Sequence, residues 1–246
     1  MSDTDTCVLL VDDTTTANVL VAGVIERELG WIVVGCDRPE EVMAVLDSGA
    51  RFDIALVDLS FPNSELNGLD VLVLLAHRVP NCRRVVFTDG DLHVADLLRD
   101  SWEAVELASA LRKTSSIATL LDTLRAVRAT GSAPIDPVLL PWLPRERSPW
   151  RSLDGYSRLV VHAGHAKLWR ALIELDEEPS YQELAAYTGL KPFTIRNYRT
   201  ELLEELQLHH LDRPKMRQMQ LFAKRCRALL EPHIQTKLGS EAGVSQ

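Results

Sequence analysis

The chain has 246 residues, of which 46% are hydrophobic and 25% are charged, and its formal net charge at pH 7 is −8. This composition is that of a globular protein, and the length predicts two domains with ordinary cores. No apolar run reaches the roughly 18 residues that a membrane span needs, and no signal peptide is evident. We therefore expect a cytoplasmic protein without a membrane partner. The four cysteines are widely spaced, which favours neither a zinc site nor a disulfide framework.

The charge is distributed unevenly along the chain. Residues 1–130 contain 11 Lys and Arg against 21 Asp and Glu, whereas residues 131–246 contain 16 against 14. Residues 191–227 contain 9 Lys and Arg against 4 Asp and Glu. An acidic first half and a locally basic second half predict two domains with different partners.

Short apolar runs alternate with helix-like stretches in the first half. The predicted strands are 7–11, 31–35, 53–57, 84–88 and 106–111. The predicted helices are 15–29, 39–48, 68–78, 93–100 and 115–129. This alternation predicts an α/β fold with a doubly wound, five-stranded parallel sheet. In such sheets, ligand sites lie beyond the carboxyl ends of the strands.

Polar residues stand at four of these strand ends. Asp12 and Asp13 follow the first strand, Asp58 follows the third, Thr88 ends the fourth and Lys113 follows the fifth. The stretch "CVLLVDD" alone is equally well explained by a turn or a helix N-cap. Clustered carboxylates are costly without a cation, and hard oxygen ligands favour Mg²⁺. We therefore predict that the three aspartates bind Mg²⁺ and that Asp58 is able to accept a phosphoryl group, aided by the hydroxyl and the amine.

Four motifs occur in order on these elements: "VDD", "LVDLSFP", "VVFTDG" and "LRK". Together they resemble the receiver domain of bacterial two-component response regulators, which has a flavodoxin-like fold. The resemblance implies that Asp58 accepts a phosphoryl group from a histidine kinase or another input partner. It also implies that Thr88 and Lys113 assist this transfer. It does not imply an enzyme that acts on other substrates.

Two positions depart from the receiver pattern. Ala110 stands where the family has an aromatic switch residue, and Asp89 follows Thr88 where a small residue is usual. The extra carboxylate is expected to slow phosphoryl transfer by repulsion. We therefore predict activation that is partly or wholly independent of phosphorylation. The alternative is that Leu111 or Trp102 performs the role of the aromatic residue.

A proline-rich stretch follows the first half. Residues 131–149 contain five prolines, which exclude a regular helix or central strand and favour an extended connector. We predict a receiver domain over 1–130, a linker over 131–160, a DNA-binding domain over 161–236 and a disordered tail over 237–246.

Residues 165–175 and 180–206 show helical periodicity. Ser180 and Glu183 fit a capping box and Gly189 fits a tight turn, so 180–206 predict a helix-turn-helix. A plain helical hairpin with a solvated charged face is the alternative. The stretch "TIRNYRTELLEEL" resembles the helix-turn-helix of NarL/LuxR-type output domains.

The second helix of this motif contains side chains that are suited to DNA, since Arg can pair with guanine and Asn with adenine in the major groove. The candidate DNA-binding residues are Lys191, Thr194, Arg196, Asn197, Arg199 and Thr200. Arg199 stands where the family usually has an apolar residue. A final helix over 213–235 is predicted either to pack against the motif or to form a dimer interface.

The combined features favour a response regulator that acts as a sequence-specific transcription factor. The resemblance implies double-stranded DNA, an input kinase and RNA polymerase as partners, and a homodimer. One alternative is a receiver with an RNA-binding or protein-interaction output. Another is an aspartate-nucleophile phosphatase, which needs a second Asp two positions after the first, where Thr14 follows Asp12.

Overall fold

The computed structural model describes residues 6–242, and the chain divides into two compact units between Glu146 and Arg147. This point lies inside the predicted linker of 131–160. Residues 131–146 belong to the first unit and residues 147–160 to the second. Across 6–242, no helix is long and apolar enough to cross a membrane.

The first unit contains a five-stranded sheet in the order β2-β1-β3-β4-β5, and every pair of neighbouring strands is parallel. The strands are β1 (Cys7–Val11), β2 (Ile32–Cys36), β3 (Ile54–Val57), β4 (Arg83–Thr88) and β5 (Leu107–Arg112). The central strand β3 is buried along its whole length, as an apolar strand covered on both faces should be. This strand order is that of flavodoxin-like folds, so the predicted fold class is confirmed.

Five helices cover the sheet: α1 (Thr15–Leu29), α2 (Pro39–Asp47), α3 (Gly68–Arg78), α4 (Ala95–Ala104) and α5 (Ile117–Thr130). Only α4 differs clearly from its prediction of 93–100. A 3₁₀ turn over Leu92–Val94 precedes it, and the helix continues to Ala104. Its last turns bury the polar residues Asp100, Ser101 and Glu103, so an apolar stripe could not mark its end.

The proline-rich residues 131–139, here called the β5 strap, lie along the outer edge of the sheet. The backbone N–H groups of Ala133 and Asp136 donate to the carbonyls of Ala108 and Ala110, at 2.9 Å each. The strap ends at Leu139, which is fully buried. Proline is tolerated there because an edge segment needs only part of its N–H groups for pairing. The strap therefore covers the polar backbone edge that β5 would otherwise expose.

The second unit consists of helices. They are α6 (Ala163–Glu174), α7 (Tyr181–Thr188), α8 (Pro192–Glu201), α9 (Leu203–Leu208), α10 (Met216–Arg225) and α11 (Arg227–Ala242). Its core contains Trp169, whose ring centroid lies 5.9 Å from that of Phe222. The indole Nε1–H of Trp169 donates to the carbonyl of Leu159 at 2.7 Å, so its polar group is satisfied inside the core.

The end of the second unit differs from the sequence prediction in two ways. The single helix predicted over 213–235 is two helices, because the backbone leaves helical geometry at Cys226 (φ −102°, ψ 25°). Phe222, Cys226 and Leu230 are fully buried, as expected for core packing. Residues 237–242 of the predicted disordered tail are helical, because α11 continues to Ala242. Residues 243–246 lie outside the described part of the chain.

Candidate functional site

The strand order reverses between β1 and β3, and the acidic residues follow these two strands. The N–H of Asp58 donates to the carbonyl of Val11 at 2.9 Å, which continues the pairing of the strands to their ends. One carboxylate oxygen from each of Asp12, Asp13 and Asp58 lies within 4.8 Å of the other two. The structure therefore brings the three predicted aspartates together at the switch point, where ligands bind in such sheets.

Lys113 bridges two of these carboxylates. Its Nζ lies 2.6 Å from Oδ2 of Asp12 and 2.9 Å from Oδ2 of Asp58. Its backbone N–H donates to the carbonyl of Thr88 at 2.8 Å, which fixes the chain just beyond β5 beside the end of β4. Both carboxylates are almost completely buried and the Lys113 side chain is largely buried, so solvent screens their attraction only partly.

Burial raises the pKa of Asp58 above its ordinary value, and the neighbouring charge of Asp12 raises it further. The hydrogen bond and charge of Lys113 and the Leu59 N–H, at 2.7 Å, oppose this effect without cancelling it. Burial lowers the pKa of Lys113, but its hydrogen bonds to Asp12 and Asp58 outweigh burial and raise the pKa overall. Lys113 is therefore charged at neutral pH. Ionisation of Asp58, in contrast, lowers the stability of the fold.

The charge balance of the cluster fits a divalent cation. Three carboxylates face one ammonium group, so negative charge is left over at the switch point. Asp89 is exposed and its Oδ2 lies 4.0 Å from the Lys113 Nζ, which adds to that excess. Clustered carboxylate oxygens with excess negative charge suit Mg²⁺.

Thr88 lies at the end of β4 and is fully buried. Its Oγ1 has no hydrogen-bond partner among the described residues. A buried hydroxyl without a partner is costly unless a ligand or water satisfies it. The hydroxyl is therefore able to donate a hydrogen bond to a ligand at the edge of the sheet where the aspartates lie.

Two further features position the site. Asn18 Nδ2 donates to the carbonyl of Asp12 at 2.6 Å and to Oδ1 of Asp37 at 2.8 Å, so it ties the β1 end to the β2 end. A Cβ on Gly68 would lie 2.0 Å from the carbonyl oxygen of Asp58, so only glycine allows α3 to begin there. Gly68 opens the helix predicted over 68–78, whereas nothing in the sequence marked Asn18.

The segment predicted as a helix-turn-helix begins with the two short helices α7 and α8. Ser180 Oγ accepts the N–H of Glu183 at 3.2 Å, and a Glu183 carboxylate oxygen accepts the N–H of Ser180 at 2.8 Å, which is the predicted capping box. Gly189 ends α7 in the left-handed conformation (φ 70°), which glycine adopts readily. Ile195 and Leu202 face inward and are buried. The second predicted helix does not run unbroken to residue 206, because α8 ends at Glu201 and α9 begins at Leu203.

The candidate DNA-binding residues are distributed unequally over α8. Lys191, Arg196, Asn197 and Thr200 are exposed, whereas Thr194 and Arg199 are half-buried. The guanidinium of Arg196 lies 5.2 Å from the centroid of the Tyr181 ring. Arg199 instead donates from Nε to the Pro214 carbonyl at 3.0 Å and from a terminal nitrogen to the Tyr181 hydroxyl at 3.3 Å. These contacts explain how an arginine occupies a position that is usually apolar.

No protein-family profile matches the chain, and no curated protein matches it. Solved structures do. A LuxR-family DNA-binding response regulator from Silicibacter pomeroyi is 20% identical, covers 53% of this chain and 96% of its own, and has a TM-score of 0.44. The isolated REC domain of RcsB from Salmonella enterica serovar Typhimurium, with phosphomimetic BeF3⁻, is 16% identical. It covers 57% of this chain and 99% of its own, with a TM-score of 0.47.

A third similar structure extends over most of the chain. The response regulator ChrA of a heme-sensing two-component system is 16% identical, covers 92% of this chain and 99% of its own, and has a TM-score of 0.45. At such identities the likeness concerns the fold.

Proposed function

We propose that the chain is a response regulator whose first unit is a receiver and whose second unit binds specific DNA sequences. The observation that carries the proposal is the convergence of Asp12, Asp13 and Asp58 with Lys113 at the switch point of the sheet. The arrangement supports phosphoryl transfer to an aspartate, because it combines a carboxylate nucleophile, a fixed ammonium group and a place for a cation.

In the proposed transfer, a carboxylate oxygen of Asp58 attacks the phosphorus of a phosphohistidine on a kinase partner. The new O–P bond forms as the P–N bond breaks, and the imidazole leaves. Lys113 is placed to pair with a phosphoryl oxygen, and the unpartnered Thr88 hydroxyl is placed to donate a hydrogen bond to another. Mg²⁺, held by Asp12, Asp13 and Asp58, would neutralise charge on the incoming group.

The proposed DNA-binding surface is the exposed side of α8. Arg196 and Asn197 are the proposed base-reading residues, whereas Lys191 is proposed to contact phosphate. The excess of Lys and Arg over 191–227, 9 against 4 acidic residues, supports binding to a polyanion. Arg199 is not proposed to contact bases, because its guanidinium already donates hydrogen bonds within the second unit.

We also propose that activation is partly or wholly independent of phosphorylation. Ala110 is fully buried and its carbonyl accepts the Asp136 N–H of the strap at 2.9 Å. A methyl side chain cannot move between two positions as a large aromatic ring can. A phosphoryl group on Asp58 would therefore change the surface at the β5 edge little. Leu111 belongs to the hydrophobic core of the sheet, which argues against its replacing the aromatic residue.

Genome-wide DNA-binding mapping would test input and output together. The chains compared are the wild type, Asp58→Ala, Arg196→Ala and the exposed control Glu204→Ala. We expect discrete sites for the wild type and the control, and weaker, less specific occupancy of them in Arg196→Ala. Sites retained in Asp58→Ala would support phosphorylation-independent activation. An absence of discrete sites in the wild type would contradict DNA binding and favour an RNA-binding or protein-interaction output.

A further inference from the structure

Three side chains able to ligate a metal meet where the start of α6 contacts the last turn of α8. One ligand atom from each of His162, His165 and Glu201 lies within 4.8 Å of the other two. The two histidines are three positions apart at the helix start, which places them on one side, and their ring centroids are 4.0 Å apart. Two imidazoles and one carboxylate are the protein ligands of His₂Glu zinc centres.

One pair already has the spacing that a tetrahedral metal requires. Nε2 of His165 lies 3.3 Å from Oε2 of Glu201, which is long for an N–H···O hydrogen bond. Two ligand atoms that are each about 2.0–2.1 Å from a tetrahedral Zn²⁺ are separated by about 3.3 Å. An ion could therefore enter between these atoms without displacing either side chain.

His165 is the most deeply buried of the three side chains. The residue is 3% exposed, and its Nδ1 has no hydrogen-bond partner among the described residues. A buried ring of this kind is shielded from solvent on the side away from Glu201, so any ion held there loses little affinity to competing water.

We propose that His162, His165 and Glu201 bind a Zn²⁺ ion, with one coordination position open to solvent. The Tyr198 ring closes one side, since its centroid lies 4.9 Å from that of each histidine. The Glu201 side chain is 54% exposed, which leaves an entry path on another side. The inference does not depend on DNA binding.

The third ligand also has a local role. Nδ1 of His162 accepts the N–H of Gly164 at 3.1 Å and that of His165 at 3.3 Å, so the ring caps α6. Coordination by His162 would weaken this cap. The bound ion would then tie the start of α6 to the end of α8.

Zinc titration of the full chain by calorimetry tests the proposal, in excess Mg²⁺ so that the acidic site of the first unit is filled. Co²⁺ absorption would report the coordination geometry. We expect one Zn²⁺ per chain in the wild type, and at least tenfold weaker binding in His162→Gln and in Glu201→Gln. His93→Gln and Glu204→Gln are matched controls, because they make the same changes at exposed positions elsewhere.

Three results would overturn the proposal. The first is no zinc binding by the wild type. The second is equal affinity in His162→Gln, Glu201→Gln and their controls. The third is loss of the zinc in Asp13→Ala, which would place the ion at the acidic cluster of the first unit instead. Circular dichroism of each variant separates loss of ligand from loss of fold, and Glu201→Gln is the decisive variant because its side chain is largely exposed.

Discussion

Asp58 and Asp136 are both buried carboxyl groups of the first unit, but their surroundings shift their pKa values in opposite directions. Burial and Asp12 raise the pKa of Asp58. Burial also opposes ionisation of Asp136, but hydrogen bonds from the Val138 N–H, Arg112 and Ser115 outweigh it and lower the pKa. Ionised Asp58 therefore destabilises the first unit, whereas ionised Asp136 stabilises it.

Replacing Asp58 by Asn should stabilise the first unit at neutral pH in the absence of Mg²⁺. Asn cannot ionise, so the variant avoids the buried charge, and we expect a gain on the order of 1 kcal/mol. A raised pKa favours the protonated carboxyl in the folded state. The advantage of the variant should thus grow as pH rises from about 4 toward neutrality and vanish below about pH 4. Urea unfolding across this range measures it, and a variant less stable than the wild type at pH 7 would contradict it.

Removing Asp13 should abolish stabilisation by Mg²⁺. The reason is that the cation is proposed to need all three clustered carboxylates, and a ligand that binds only the folded state raises its stability. Thermal unfolding with increasing Mg²⁺ should show a rising midpoint in the wild type and a flat one in Asp13→Ala. Asp122→Ala, an exposed aspartate on α5, is the control and should respond as the wild type does. An equal response of Asp13→Ala and the wild type would exclude this site.

Replacing Asp136 by Asn should destabilise the first unit by about 1 kcal/mol at pH 7, because charge-assisted hydrogen bonds are lost. The Arg112 Nε lies 3.0 Å from Oδ2 of Asp136. A depressed pKa stabilises the fold at pH values above the ordinary Asp pKa of about 3.9, and this contribution disappears as pH falls through the folded-state value. Denaturation at pH 7 and below pH 3 measures the difference. A cost that persists unchanged at low pH would refute an electrostatic origin.

At the scale of single elements, α8 presents two kinds of arginine. Arg196 is exposed and has the Tyr181 ring beside it, whereas Arg199 is hydrogen-bonded to the chain that precedes α10. The two side chains have the same chemistry, and only their surroundings distinguish them. Their substitutions should therefore affect different measurements.

Arg196→Ala should weaken binding to the cognate DNA site by about 1–3 kcal/mol and relax specificity at one base pair, with little change in stability. Arg199→Ala should instead lower the unfolding free energy by about 1–2 kcal/mol, since it leaves the Pro214 carbonyl without its donor. Band-shift titration on matched and single-mismatch sites and urea unfolding measure the two effects. If Arg199→Ala lost specificity while keeping its stability, α8 would be rotated relative to this assignment.

The sequence predicted most elements because apolar runs and helical stripes report which residues face a core. Strand β1, α1 and α3 begin and end where the apolar pattern predicts. The pattern could not predict the end of α4, where polar residues are buried, or the break at Cys226, where the apolar stripe continues through two helices. The β5 strap was also missed as an edge segment, because proline content excludes regular structure without indicating backbone pairing.

The acidic site was predictable for a related reason. Strand ends are fixed by the apolar runs, so the positions of Asp12, Asp58 and Lys113 followed from topology. The role of Asn18 depends on contacts between the ends of β1 and β2, and local sequence does not encode such contacts. The internal bonding of Arg199 likewise depends on a carbonyl 15 residues away in the chain.

At the scale of the whole molecule, the regulatory question is whether a phosphoryl group on Asp58 changes DNA affinity. We expect that incubation with a small phosphodonor and Mg²⁺ gives little labelling, or labelling without a change in dimerisation or affinity. The altered β5 edge, where Ala110 has no bulky side chain, is the physical reason. Mass spectrometry, light scattering and DNA titration on one sample measure all three. Stoichiometric labelling of Asp58 with a tenfold gain in affinity, about 1.4 kcal/mol, would contradict the expectation.

The β5 strap also has a consequence for the solubility of the chain. An uncovered edge strand offers unpaired N–H and C=O groups to any other chain with an open edge, and β5 is apolar along most of its length. While Ala133 and Asp136 are hydrogen-bonded to β5, this edge cannot pair with a strand of another chain. Conditions that release the strap, such as acid that protonates Asp136, should therefore promote concentration-dependent β-aggregation before the sheet itself unfolds. Amide hydrogens of Ala133 and Asp136 should exchange first as that threshold is approached.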